Sequence, residues 1–446
     1  MADSTLGRVH GLLGDPIVTI STPRGRGAIG IVRISGQSRD VARLLECAGD
    51  PSRFVDRQLH LASIRFDGEL VDRGLVAWFR GPHTYTGEDV AELHLHGNPA
   101  VLERVVSGLI EMGARAAEPG ELTRRAVMAG RMSVLDAEAV DGLIRAPGLA
   151  AARVAGRQLG GELTRRVEGW RDRLLIAAVA LEAAVDFPDD VEESEITGDL
   201  ASIAQLRADM QQLASTALAG RRLLDGVRVV FTGPVNAGKS TLFNALLGHD
   251  RAIVSDLPGT TRDLVSETVE WDGVIYRLED TAGVREAADP VEAEGVERTG
   301  RAVDDADVVV HVRDGRWGVP PRDGLCVATH SELLEPAEAD AAREAGWLLV
   351  CPPSGEGIDE LQAAIKDTAG VQGALASEVI LHTARQGAAL RTAAEALDEA
   401  LQAGVDELVL TAVAVRRAGQ ALEELVGDWP EERVLDDLFS RFCIGK

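Results

Sequence analysis

The run Gly233-Pro-Val-Asn-Ala-Gly-Lys-Ser-Thr241 constrains the fold of this chain more than any other stretch. It follows an apolar run, Val227–Thr232, that reads as a buried strand, and precedes Leu242-Phe-Asn-Ala-Leu-Leu247, which reads as the start of a helix. A G-x-x-x-x-G-K-[ST] pattern between strand and helix is a loop whose backbone N–H groups cradle phosphate oxygens. The helix N-terminus behind it adds a dipole that favours anions. The Lys239 ammonium can reach a terminal phosphate, and the Ser240 hydroxyl can ligate Mg²⁺. Of 46 basic residues only Lys239, Lys366 and Lys446 are lysines. A chain that otherwise uses arginine places a lysine where a flexible point charge suits a phosphate better than a planar guanidinium. The surrounding residues are expected to form a parallel-sheet nucleotide domain.

Two motifs downstream narrow the class. Asp280-Thr-Ala-Gly283 closes a strand-like run, Val274–Leu278, and offers a carboxylate to the Mg²⁺ shell and a glycine N–H to a γ-phosphate. Between the loops lies Asp256-Leu-Pro-Gly-Thr-Thr-Arg-Asp263, where Thr260 or Thr261 can close over Mg²⁺ and the γ-phosphate as a switch. That order points to a GTPase-like domain. The expected nucleotide-binding residues are Asn236, Ala237, Gly238, Lys239, Ser240 and Thr241; Ser255, Asp256, Leu257, Pro258, Gly259, Thr260 and Thr261; Asp280, Thr281, Ala282 and Gly283; and Glu332.

Val284 follows the Asp-x-x-Gly, where many GTPases place a glutamine that orients the attacking water. Valine cannot do that. Glu292 is the candidate for that catalytic task beside Lys239, and a solvated helix carboxylate is the ordinary alternative. A monovalent cation near the phosphates can supply missing positive charge, with the Asn236 side-chain oxygen as a ligand; a turn residue is the alternative there. Guanine recognition departs from the usual Asn-Lys-x-Asp. Leu325-Cys-Val-Ala-Thr-His-Ser-Glu-Leu333 puts Thr329, His330 and Glu332 in its place, and the later loop reads Cys351-Pro-Pro-Ser-Gly-Glu-Gly357. Glu332 can still accept from guanine N1–H and N2–H₂, so base selectivity should be reduced but not erased.

The rest of the chain sets the frame. Residues 1–118 read as a mixed α+β module, with strand-like runs at Ile17–Ser21, Ala28–Ile34, Leu59–Phe66, Leu75–Phe79 and Val90–His96. Residues 119–220 are helical in texture, punctuated by Asp186-Phe-Pro-Asp-Asp190; 221–374 alternate strand and helix; 375–446 are helical again. A nucleotide domain inserted into one discontinuous helical domain follows. No apolar run has a membrane-spanning length and Met1-Ala-Asp-Ser begins no leader, so a cytoplasmic protein with no membrane partner is expected. Four cysteines without a CxxC suggest reduced thiols. A net charge of −26 excludes a surface generally coated by nucleic acid. Arg153, Arg157, Arg165, Arg166, Arg171 and Arg173 are the local candidates for RNA phosphates, or simply a solvated helix face. Glu92, His94 and His96 share one face of a strand; with no third ligand at suitable spacing, a polar sheet face is favoured over a metal site.

Taken together, the chain resembles the MnmE (TrmE) family of tRNA-modification GTPases over essentially its full length. The resemblance rests on Thr22-Pro-Arg-Gly-Arg-Gly27, Gly30-Ile-Val-Arg-Ile-Ser-Gly36, Tyr85-Thr-Gly-Glu-Asp-Val90, Pro119-Gly-Glu121 and Leu135-Asp-Ala-Glu-Ala139. Asp186-Phe-Pro188, Asn236-Ala-Gly-Lys-Ser240, Gly259-Thr-Thr-Arg-Asp263 and the terminal Phe442-Cys-Ile-Gly-Lys446 complete it. It implies an N-terminal folate-binding and dimerisation domain, a discontinuous helical domain and an inserted Ras-like P-loop GTPase domain. It implies a K⁺-activated homodimer that works with a FAD-containing partner, MnmG (GidA), as a heterotetramer or larger. Together they would add a carboxymethylaminomethyl or aminomethyl group at C5 of the wobble uridine of tRNA. By motif position Arg33, Glu92, Arg131 and Lys446 would contact a tetrahydrofolate derivative, 5,10-methylene- or 5-formyl-tetrahydrofolate. Ser240 and Thr261 would hold Mg²⁺; Asn236, Ser255, Leu257 and Thr260 would hold K⁺; Glu292 would position the water; Cys443 is a candidate modification site. A ribosome-assembly-type GTPase switch and a nucleotide-binding scaffold with degenerate guanine specificity are the competing classes. The N-terminal module and the Cys-Ile-Gly-Lys end argue against the first.

Overall fold

The structure is a computed structural model; it describes residues 14–187, 193–249, 265–280, 302–314 and 324–427, with Phe439, Phe442 and Gly445. The chain divides into two compact units, residues 1–141 with 426–446, and residues 142–425.

In the first unit, β1 (Ile17–Ile20), β2 (Ile29–Gly36), β3 (Leu59–Phe66), β4 (Glu69–Phe79), β5 (Asp89–His96) and β6 (Arg115–Ala116) form one sheet in the order β3-β4-β5-β2-β1-β6. All neighbours are antiparallel except β1 and β6. Strand periodicity sends Val32, Ile34, Leu93 and Leu95 to one face, where α1 (Ser38–Leu45) and α2 (Pro99–Glu111) cover them with Leu44, Leu102 and Leu109. Asn98 caps α2 by accepting from the Ala100 N–H, with Pro99 opening the first turn. The opposite face carries Thr19, Arg33 and Glu92 side by side, since Thr19 pairs with Arg33 and Arg33 with Glu92. β4 begins at Glu69, six residues before the apolar run Leu75–Phe79. The cause is a hairpin turn, Asp67-Gly68 with φ of 50° and 81°, whose left-handed pair matches the strand twist.

Helices α3 (Glu121–Met128) and α4 (Val134–Arg145) follow. Val127, Val134 and Ala137 make a small apolar cluster with Phe439 and Phe442, whose ring centroids are 4.9 Å apart. Gly445 has φ of 111°, and a Cβ there would lie 2.4 Å from the Ile20 carbonyl oxygen. Gly445 therefore lies backbone to backbone against the end of β1.

In the second unit, α5 (Leu149–Leu159), α6 (Glu162–Asp186), α7 (Glu193–Ala214) and α8 (Ala217–Asp225) precede a second sheet, and α13 (Ala384–Ala403) and α14 (Leu408–Val426) follow it. The two helical blocks join: Arg207 Nε meets Asp398 Oδ1 at 2.6 Å, and Arg416 pairs with Glu182. The helical region is thus discontinuous around the sheet domain. That domain contains β7 (Val227–Thr232), α9 (Lys239–His249), β8 (Val265–Trp271), β9 (Val274–Asp280), β10 (Val308–Asp314), β11 (Leu325–Thr329), α10 (Pro336–Glu344), β12 (Leu348–Leu349), α11 (Ile358–Ala369) and α12 (Val371–Leu375). The order is β12-β11-β10-β7-β9-β8, parallel except for β8 at the edge. β7 and β10 are neighbours with β9 beyond β7, so the strand order reverses beside β7 and opens a crevice at the C-terminal ends of the strands. Val229, Phe231, Leu242, Val310, Val312, Ile358 and Leu361 fill the core.

Candidate functional site

The phosphate loop stands at that crevice. Gly233 follows β7 with φ of 147°, and a Cβ there would sit 2.1 Å from the Val312 carbonyl, so only glycine lets the loop leave β7 beside β10. Asn236 holds φ of 63°, a left-handed conformation that asparagine tolerates better than most residues. Gly238 has φ of 79° and turns the chain into α9, which begins at Lys239. The Lys239 Nζ donates to Gly233 O at 3.0 Å and Pro234 O at 2.8 Å, which holds the ammonium at the mouth of the loop. The Ser240 hydroxyl donates to Asp280 Oδ2 at 2.8 Å. Register explains the meeting, because Asp280 pairs with Phe231 across β9 and β7 and so ends beside the loop that leaves β7. A hydroxyl and a carboxylate side by side are oxygen donors suited to a hard cation, and they fit Mg²⁺.

At the base end, Thr329 closes β11 and is 1% exposed. Its hydroxyl lies 2.8 Å from Ala237 O and 3.0 Å from Arg313 O, facing the phosphate loop. His330 follows with φ of 59°, and Glu332 lies on a short 3-10 turn, with 3.5 Å between its Oε1 and His330 Nδ1. A hydrogen bond from the Cys351 side chain, with one from the backbone of Glu332 itself and the nearby His330, holds the Glu332 carboxyl below the ordinary range. Ser255, Asp256, Leu257, Pro258, Gly259, Thr260, Thr261, Thr281, Ala282, Gly283, Glu292, Cys443 and Lys446 lie outside the described residues.

A second polar centre lies in the first unit. Arg33 Nε and Nη2 donate to Glu92 Oε1 at 3.0 and 2.7 Å, and His94 Nε2 lies 3.0 Å from Glu92 Oε2. Burial works to raise the Glu92 carboxyl, but the hydrogen bonds and charge of Arg33, with His94, hold it below its ordinary value. His96 is spent elsewhere, on Asp72 at 2.8 Å. Arg131 is exposed, with its Cγ 3.6 Å from where a Cβ on Gly87 would be, so its stem lies along the turn that carries Tyr85. The Tyr85 hydroxyl bonds Thr123 at 2.9 Å, and the Arg33 charge reaches the phenol. Tyr85 thus borders the Arg33–Glu92 centre, a neighbour that no motif spacing announces. The available signal was its rarity, since the chain has 2 tyrosines. Arg125 is buried and donates to Oε2 of Glu88, the residue before β5, at 2.8 Å and to Glu121 Oε1 of its own helix at 3.0 Å, which ties α3 to the segment leading into β5.

The description "MnmE helical domain" matches residues 134–443, and "GTP-binding protein TrmE N-terminus" matches residues 16–131. The chain belongs to the MnmE family of tRNA modification GTPases. The tRNA modification GTPase MnmE of Thermus thermophilus is 40% identical over 97% of this chain and 100% of its own length. That of Methylobacterium radiotolerans is 42% identical over 95% and 97%. Among solved structures, the G domain of the T. maritima FeoB iron transporter aligns with 32% of this chain and 98% of that chain, at 24% identity and a TM-score of 0.23. Among the described residues, no helix is long and apolar enough to cross a membrane.

Proposed function

We propose that the chain couples GTP hydrolysis at the P-loop to modification of the wobble uridine of tRNA at C5, with a carboxymethylaminomethyl or aminomethyl group as the product. As a member of its family it is a GTPase of tRNA modification, with GTP and Mg²⁺ as ligands and tRNA as substrate. The observation that carries the reading is the Ser240–Asp280 contact of 2.8 Å at the mouth of a loop shaped for phosphate. Bound Mg²⁺ would neutralise charge shared by the β- and γ-phosphate oxygens. Backbone N–H groups of 236–241 and the α9 terminus hold the phosphates, Lys239 offers its ammonium to the terminal one, and Glu332 accepts from the base.

Asn236 and backbone oxygens of Ser255, Leu257 and Thr260 hold K⁺, Thr261 joins Ser240 at Mg²⁺, and Glu292 orients the attacking water. The N-terminal module, residues 1–118, takes a reduced folate through Arg33, Glu92, Arg131 and Lys446, and dimerises. The helical parts, 119–220 and 375–446, flank the G domain, 221–374. A FAD-containing MnmG subunit supplies redox chemistry in a cytoplasmic complex. The Arg33–Glu92 pair favours the folate reading, since a guanidinium and an ionised carboxylate on one sheet face offer both donors and acceptors to a pterin edge.

Mass spectrometry of wobble uridines from a strain lacking this chain tests the whole. Loss of the C5 modification, restored by the wild-type chain and not by Ser240→Ala, is expected. Unchanged wobble uridines would refute it.

A further inference from the structure

Thr329 occupies the position where a base-reading asparagine is expected, yet its surroundings give it another task. Its hydroxyl has one hydrogen, and that hydrogen lies between two carbonyl oxygens, Ala237 O at 2.8 Å and Arg313 O at 3.0 Å. The side chain is also wedged: a Cβ on Gly238 would lie 3.2 Å from its Oγ1 and 3.3 Å from its Cβ and Cγ2. Thr329 therefore joins three segments, the phosphate loop, the end of β10 and the end of β11. It has no hydrogen left to offer the O6 or N7 acceptors of a purine.

At this end Asp314 pairs with Thr329 across β10 and β11, His330 departs in a left-handed turn, and Glu332 is the acidic group of the short turn that follows. An ionised carboxylate only accepts hydrogen bonds. It can meet N1–H and N2–H₂ of guanine, and it repels the lone pair on adenine N1.

We propose that Thr329 is a positioning residue that braces the phosphate loop, and that base selection rests on Glu332 reading only the donor edge of the purine. This rests on the nucleotide-site reading given above. The ligand class is then a purine nucleotide ranked by Watson–Crick donors. Guanine, with N1–H and N2–H₂, comes first; hypoxanthine, with N1–H alone, follows; adenine comes last.

The test is calorimetric titration of the full chain with GDP, IDP and ADP, in wild type, Thr329→Val, Thr329→Ser and Glu332→Gln. Thr329→Val keeps the shape and removes the donor. It should weaken all three ligands by a common factor of about tenfold, since a buried carbonyl loses its partner. Thr329→Ser should restore affinity, which a mere folding defect would not explain. Glu332→Gln should instead compress the GDP, IDP, ADP ranking toward equality. If Thr329→Val changes the GDP-to-ADP ratio, or leaves every affinity at the wild-type value, the bracing role is overturned while the nucleotide site stands. If the wild-type chain binds none of the three, the nucleotide reading fails and this inference with it.

Discussion

The ammonium of Lys366, on α11, donates to the carboxylate of Asp272 across 2.8 Å, and Asp272 is the first residue of the turn joining β8 to β9. The second turn residue, Gly273, has φ of 80° and accepts the Ala150 N–H of α5 at 3.1 Å. Lys366 belongs to the sheet domain itself, whereas Ala150 belongs to the helical region, so through the Ala150 contact the turn is where the helical region grips this hairpin. The two contacts differ in weight. Lys366 and Asp272 are 23% and 63% exposed, so Lys366→Met should cost under about 1 kcal/mol. Gly148 lies in extended backbone, but a Cβ there would meet the Gly273 carbonyl and Ile275 Cγ1 at 3.0 Å. Gly148→Val should therefore cost about 1–3 kcal/mol through overpacking alone. Thermal melts of the two variants decide it, and equal losses would contradict the ranking.

Ser240→Ala removes the hydroxyl that faces Asp280. The expected result is loss of the Mg²⁺-dependent part of nucleotide affinity, so that Kd for GDP becomes nearly the same with Mg²⁺ and with chelator. The Ser240→Thr variant keeps the hydroxyl and should retain the Mg²⁺ effect. A Ser240→Ala chain with the wild-type Mg²⁺ response would remove the serine from the cation site.

Much of this arrangement was legible because glycine and register carry local information. Gly233 and Gly238 mark where backbone must pass close to β10 and turn into α9, and the strand runs Val227–Thr232 and Val274–Asp280 place Asp280 beside Ser240 once they pair. The start of β4 was less legible. Its polar Asp72 and Arg73 interrupt the apolar pattern, although Asp72 is satisfied by the His96 N–H at 2.9 Å and ring at 2.8 Å. The role of Thr329 was hidden altogether, because motif position points to the base whereas its partners, Ala237 O and Arg313 O, are set by tertiary packing. The network Arg222–Asp307–Arg228–Glu279, with contacts of 2.8, 3.0 and 2.7 Å, was equally hidden. It joins α8 to β7, β9 and the start of β10, and no spacing rule links residues so far apart in sequence.

The Arg33–Glu92 pair should give the first unit an acid-sensitive component. The folded Glu92 carboxyl sits below its ordinary value of 4.5, so its contribution to stability is full above that value and is lost as pH falls through the folded one. The melting-temperature gap between wild type and Glu92→Gln should therefore narrow as pH drops from about 6 to about 3. A constant gap would mean that the pair adds no net charge-dependent stability. Arg33→Ala should also abolish calorimetric binding of 5-formyltetrahydrofolate, and an unchanged isotherm would remove Arg33 from that site.

Val284 has no polar group with which to orient a water, and Glu292, with K⁺ supplying charge near the phosphates, is proposed for that task. Two consequences separate this from a nucleotide-binding scaffold. Glu292→Ala should lower kcat for GTP by about 10²-fold or more while Kd for GDP stays near the wild-type value, as befits a group that acts only in the transition state. Turnover should also fall sharply when Na⁺ replaces K⁺ at constant ionic strength. Asn236→Ala should reduce that difference between the two ions. Equal turnover in both salts, or a parallel loss of affinity and rate in Glu292→Ala, would transfer the catalytic role to a different side chain.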